Sequence, residues 1–120
     1  MTAPSVSSEN IRATRVEGTE VRNAAGEHLG SVDDLVIGKR DGQVKYAIMS
    51  FGGFLGIGEE YHPLPWEKLT YDEREGSYVV DLSREELEGA PRYAREREFD
   101  WTNREDTRRI NDYYGVPPYI

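Results

Sequence analysis

The chain has 120 residues, of which 37% are hydrophobic and 32% charged, with a formal net charge of −8 and no cysteine. That length suits one domain. The missing cysteines exclude disulfides, zinc ribbons, iron–sulfur clusters and cysteine nucleophiles. His28 and His62 are the only imidazoles, which excludes a multi-histidine metal site within one chain.

Residues 1–10 are small and polar and read as a disordered N-terminus. They lack the basic start and apolar stretch of a signal peptide, and no run anywhere approaches the ~18 apolar residues of a membrane span. The expectation is a cytoplasmic protein without membrane insertion. From about Ile11 to Leu82 the chain alternates short strands with turns. Thr19–Arg22 predicts a strand, followed by a turn at Asn23–Gly26. Leu29–Ile37 predicts a second strand, and Asp41-Gly42 predicts a hairpin, because Asp-Gly adopts positive φ readily. Gln43–Phe51 returns as the third strand, Tyr61–Trp66 makes a fourth, Leu69–Asp72 a fifth, and Tyr78–Leu82 a sixth beyond the turn at Glu75-Gly76. Short strands at roughly 8–12-residue spacing predict a barrel or sandwich.

Two strands carry more. The third places Val44, Tyr46 and Ile48 on one face and Ala47, Met49 and Phe51 on the other, so both faces require cover. One cover is the barrel interior; the other is a helix, a terminal segment or a second subunit. In the fourth, Pro63 and Pro65 are two apart, so their missing N–H groups fall on one edge. That predicts a seam or sheet edge there, or else an extended crossover.

Helices follow. Ser83-Arg84-Glu85-Glu86 fits a capping box, flanked by Leu82 and Leu87 as a hydrophobic staple, and Gly89 with Pro91 stops this helix within about two turns. Thr102-Asn103-Arg104-Glu105 repeats the box and opens a helix to about Tyr114, stopped by Gly115 and Pro117. Ile110, Tyr113 and Tyr114 share its one apolar stripe. Such a helix does not fold alone; with Trp101 it docks on its own barrel or on another subunit. Trp101, Ile110, Tyr113 and Tyr114 are therefore the candidate oligomer interface, since Tyr and Trp bury area while keeping a polar tip. A homodimer is the simplest such assembly.

Residues 19–89 hold seven basic and fifteen acidic side chains and so carry the whole net charge. An acidic body gains no counterion release from phosphates, so no direct nucleic-acid contact is expected. The charge serves solubility or offers an acidic face to a basic partner. Gly52-Gly53-Phe54-Leu55-Gly56-Ile57-Gly58 is not a phosphate loop, for no Gly-Lys-Ser/Thr follows and Glu59-Glu60 would repel phosphate. It reads either as a tight turn needing positive φ or as a partner-binding loop exposing Phe54, Leu55 and Ile57. His28, His62, Asp33, Asp34, Glu59 and Glu60 show no metal-ligand spacing. Nor does any spacing single out a catalytic pair or a Gly-x-Ser-x-Gly elbow. The expectation is no metal, no cofactor and no enzyme.

A family pattern runs through these residues. Val21-Arg22-Asn23, Gly26-Glu27-His28-Leu29-Gly30 and Asp33-Asp34-Leu35 open it. Gly42-Gln43-Val44 with Tyr46-Ala47-Ile48 continues it. Phe51–Gly56 with Gly58, Pro65-Trp66, Leu69, and Leu87 to Ala90-Pro91 complete it. This ordered set resembles the PRC-barrel domain over about 70–75 residues, a usual size for a small barrel. The family takes its name from the cytoplasmic domain of the photosynthetic reaction-centre H subunit and includes the C-terminal domain of the ribosome-maturation factor RimM. The resemblance implies a mainly β fold, a small barrel of about six short antiparallel strands over residues 11–91, with a helical extension over 92–120. It implies a stand-alone module for protein binding or assembly, its partner unnamed. A second reading is a small-ligand or metal-ion sensor using the acidic face and the glycine-rich loop. The H subunit's membrane helix and RimM's preceding domain have no counterpart here, so reaction-centre and ribosome functions do not carry over.

Overall fold

A computed structural model of the chain describes residues 10–51, 60–94, 99, 101 and 103–117. The elements in chain order are α1 (Ala13–Val16), β1 (Glu20–Asn23), β2 (His28–Ile37), β3 (Val44–Phe51), β4 (Glu60–Pro65), a 3-10 turn (Trp66–Lys68), β5 (Leu69–Asp72), β6 (Ser77–Val80), α2 (Arg84–Glu88), β7 (Tyr93–Ala94) and α3 (Arg104–Tyr114). The six predicted strands are present within one or two residues of their expected bounds. The turns form where expected, with Gly26, Gly42 and Gly76 at positive φ.

The strands make one curled sheet, a half-barrel, in the order β5-β6-β1-β2-β3-β4-β7. The sheet is mixed, not wholly antiparallel: β1 pairs β6 in parallel, Val21 opposite Tyr78 and Asn23 opposite Val80. Hairpin turns dictate antiparallel pairing between sequence neighbours, but no turn links β1 to β6, so their direction is set by how the sheet curls. In β2 the register shifts between Val32 and Asp34. This bulge lets two successive residues, Asp33 and Asp34, both reach solvent, which a regular strand forbids. Gly30 serves a close approach: a Cβ there would lie 2.0 Å from the Ser50 carbonyl oxygen across the sheet.

The proline edge falls where the residue spacing places it. β7 pairs β4 only at Glu60 and Tyr61. Beyond them, Pro63 and Pro65 sit opposite Ile48 and Tyr46 of β3. Having no N–H, they leave the bond-donating to alternate residues and present an edge that offers no ladder donor.

Both faces of β3 are covered, since Tyr46, Ala47, Ile48 and Met49 are all buried. Ala47 and Met49 join Val21, Val32, Leu64 and Val80 in the core. Cover for the Tyr46 face comes from Trp101 and α3 of the same chain. Val16 of α1, Leu87 of α2 and Ile110, Tyr114 and Val116 at α3 complete the core. In α2 the capping box is formed: Ser83 Oγ accepts from Glu86 N at 3.0 Å, and the Glu86 carboxylate accepts from Ser83 N at 2.8 Å. In α3 the cap lies one residue later than the box predicts. Asn103 Oδ1 accepts from the Glu105 and Asp106 amides at 3.0 and 3.2 Å, because a carboxamide at the N-cap position satisfies the same orphan donors; Thr102 lies outside the described residues. The helix stops at Gly115, whose φ of 68° is the left-handed C-cap. Among the described residues no helix is long and apolar enough to cross a membrane.

Candidate functional site

The third strand sends Tyr46 to the outer face of the sheet, and Phe99 and Trp101 lie over that face. Five rings run across it in sequence. Tyr61 of β4 meets Tyr93 of β7 edge-on with centroids 5.4 Å apart. Tyr93 meets Phe99 at 5.2 Å, Phe99 meets Trp101 at 4.4 Å, and Trp101 meets Tyr46 at 5.2 Å. These are tilted or T-shaped contacts, the arrangements favoured by ring quadrupoles. Burial, with smaller contributions from Tyr61, Asp34 and Asp33, pushes the Tyr93 phenol up to about 12, so it stays neutral.

A short polar chain joins this face to α3. The Tyr46 hydroxyl donates to Asn111 Oδ1, and Asn111 Nδ2 donates to the Pro117 carbonyl at 2.8 Å. Asn111 is fully buried. Its backbone carbonyl accepts from Val116 N at 2.9 Å. Two residues on, the Tyr113 hydroxyl donates to the Glu86 carbonyl of α2, one of the carbonyls a helix end leaves unpaired. The Tyr114 hydroxyl is different: it is buried without a hydrogen-bond partner, and burial raises its pKa well above the ordinary phenol range.

Beside this seam lies an open cleft of about 780 Å³, lined by Glu60, the segment Gly89–Tyr93, Arg109, Asp112 and Tyr113. Arg92 Nε pairs with Glu60 at 2.8 Å and its Nη1 donates to the Glu88 carbonyl. Across the cleft Arg109 and Asp112 face solvent from α3. The walls thus carry charges of both signs, which suits a polar rim around an aromatic patch.

The predicted site residues fall in three groups. Gly52, Gly53, Phe54, Leu55, Gly56, Ile57 and Gly58 lie outside the described residues. Ile110 and Tyr114 are buried in the core of their own chain, and Trp101 is half-buried against Tyr46. Tyr113 alone of its set is largely open, at 43% exposure. Sequence reasoning missed Asn111, because a polar residue does not register in an apolar stripe, and it missed Phe99, which no helical or strand period marks. The two histidines also diverge. His28 is exposed with Nδ1 2.5 Å from Glu20 Oε2, and together with Arg22 it holds the Glu20 carboxyl below the usual carboxylate range. His62 is buried on the inner face with neither ring nitrogen bonded. Among the described residues no three His, Asp or Glu side chains converge on a metal position.

The family model for the PRC-barrel domain matches residues 8–87. The chain belongs to the PRC-barrel domain family. Among curated proteins none matches it. Among solved structures it is similar to the 16S ribosomal RNA processing protein RimM of Pseudomonas aeruginosa, at 18% identity and a TM-score of 0.40, over 69% of this chain and 50% of that one. The chain thus spans about half the length of that protein. The PRC-barrel match ends at residue 87, so the arginine-bearing wall of the cleft, the Phe99–Trp101 cover and α3 all lie beyond it.

Proposed function

We propose that this PRC-barrel chain is a non-catalytic docking module for other proteins, with the seam between the half-barrel and α3 as its contact surface. The observation that carries this reading is the five-ring run, which leads across the outer face toward a cleft whose wall presents Tyr113 to solvent. Half-buried tyrosine and tryptophan rings inside a polar rim are the composition of protein interfaces. The titratable groups support the same reading. The described groups with strongly moved pKa values, His62, Tyr93 and Tyr114, are held neutral by burial. The carboxylates of Glu20, Asp41, Glu60 and Asp106 are paired with basic neighbours. General acid–base work needs a group that is both shifted and reachable.

A photoreactive benzoyl-phenylalanine in place of Tyr113 tests the reading in the producing cell, with the same group at exposed Lys39 as the control. Adducts formed from position 113 and absent from position 39 are the expected result. Adducts of twice the chain mass identify a homodimer, and other masses identify a different protein. No adduct at 113, or equal adducts at both positions, overturns the proposal.

A further inference from the structure

We infer that β5 is a self-pairing edge: it joins β5 of a second copy antiparallel, about a two-fold axis through Thr70, so that two half-barrels share one continuous sheet. Among the described residues β5 ends the sheet, paired to β6 on one side and to no strand on the other. Thr70 is exposed there and Tyr71 is 40% exposed, beside an open notch of about 500 Å³. An uncovered edge is a template for another strand.

The hairpin fixes which groups that edge offers. The Gly76 amide donates to the Asp72 carbonyl at 2.8 Å, so Asp72 turns its bonding groups toward β6. Successive residues of a strand turn theirs to opposite sides, so Thr70 also faces β6, while Leu69 and Tyr71 face the open edge. The Leu69 N–H is already used, donating to the Trp66 carbonyl. The edge therefore presents the Leu69 carbonyl and both bonding groups of Tyr71.

These groups and the charges around them choose a second copy and one register. With the axis at Thr70, the Tyr71 N–H of each copy meets the Leu69 carbonyl of the other. On one face the Leu69 and Tyr71 side chains meet across the join, each Tyr71 ring already braced by Tyr78 at 5.1 Å. On the other face Lys68, which makes no ion pair among the described residues, meets the second copy's Asp72. Opposite charges facing across strands stabilise such a pair and like charges oppose it. Glu67 and Glu73 would also face, but they lie in the 3-10 turn and the hairpin turn, off the ladder. Centring on Tyr71 instead sets Lys68 against Arg74, and centring on Leu69 leaves the central pair without a donor. The far end of the sheet cannot extend the assembly, because β7 is two residues long and Pro63 and Pro65 donate nothing. The assembly thus closes at two copies. Strands of four residues bury less than the ~1,200 Å² of a standard interface, so the dimer is a weak one.

Sedimentation of the full chain tests this. A monomer–dimer equilibrium is expected between about 10 and about 500 μM, the range of a weak interface. Lys68→Glu alone and Asp72→Lys alone each raise the dimer Kd at least about tenfold, since each sets like charges together twice. An equimolar mixture of the two variants dimerises again, because both facing pairs regain opposite charges. Thr70→Cys, the sole thiol in the chain, is expected to oxidise to a dimer of twice the mass at least about tenfold faster than Lys39→Cys, since facing non-hydrogen-bonded residues sit about 4.5 Å apart at Cα, within disulfide reach. A monomer throughout the range, unchanged dimerisation of Lys68→Glu, failure of the mixture, or equal oxidation at both cysteines overturns the inference; a monomer leaves the edge open to a foreign strand. Tyr113 lies on α3 and not on this edge, so neither this test nor the cross-linking at position 113 decides the other.

Discussion

His62 shows how much a single residue can set. It sits in β4 opposite Met49, edge-on to Phe51 at 5.2 Å, with both ring nitrogens buried and unpaired. Burial chiefly, and the charge of Arg92 secondarily, push its pKa from 6.5 down to about 4. The unfolded chain therefore binds more protons than the folded chain between those two values. Stability is full above about pH 6.5, falls as the pH drops, and is lower by about 3 kcal/mol once the pH is below 4. Carboxylates titrate in the same range, so the informative quantity is a difference. His62→Leu is expected to remove that share of the acid loss while costing little at pH 7, because it exchanges two unpaired buried nitrogens for apolar volume. Urea midpoints of both chains at pH 7.5, 5.5 and 4.5 check this, and parallel pH curves for the two would refute it.

At the scale of elements, helices α2 and α3 carry similar caps with different consequences. Ser83 closes a capping box on α2, whose Leu87 is fully buried in the core. Asn103 caps α3, which rests on the outer face. Ser83→Ala and Asn103→Ala should each cost about 1 kcal/mol, but in different places. The first is expected to lower the global urea midpoint, because α2 unfolds with the core. The second is expected to speed exchange of the α3 amides and leave the midpoint nearly unmoved. A matching midpoint loss in both variants would show that α3 and the sheet unfold as one unit. Both α2 and α3 are legible in the sequence because a cap is local chemistry, a side-chain oxygen meeting orphan amides. The cap of α3 falls one residue later than its sequence pattern predicts, because Thr102 and Asn103 are both competent caps and only the packed geometry chooses between them.

At the scale of the whole molecule, the net charge of −8 is concentrated in residues 19–89, within the half-barrel, the 3-10 turn and α2. The bulge in β2 adds to this by exposing Asp33 and Asp34 together. Such self-repulsion opposes the compact state and is screened by salt. Raising sodium chloride from about 10 to about 150 mM, which shortens the Debye length from about 30 to about 8 Å, is expected to raise Tm by a few degrees in a thermal melt at pH 7.5. A fall would mean that ion pairs such as those of Glu20, Asp41, Glu60 and Asp106 outweigh the repulsion.

The amino-acid sequence by itself determined the six main strands, the turns, the capping box of α2 and the proline edge. Each follows from interactions within a few residues: alternation over a pleat, Asp-Gly at a tight turn, a missing N–H on one side of a strand. It also required cover on both faces of β3, since Tyr46, Ile48, Ala47 and Met49 cannot all meet water. Only the tertiary structure decided what supplies that cover. The parallel pairing of β1 with β6, the burial of His62, the return of Phe99 and Trp101 over Tyr46, and the insertion of Asn111 beneath Tyr46 all join residues far apart along the chain. Their geometry depends on how the sheet curls, which is a property of all the strands together and is written in no single segment.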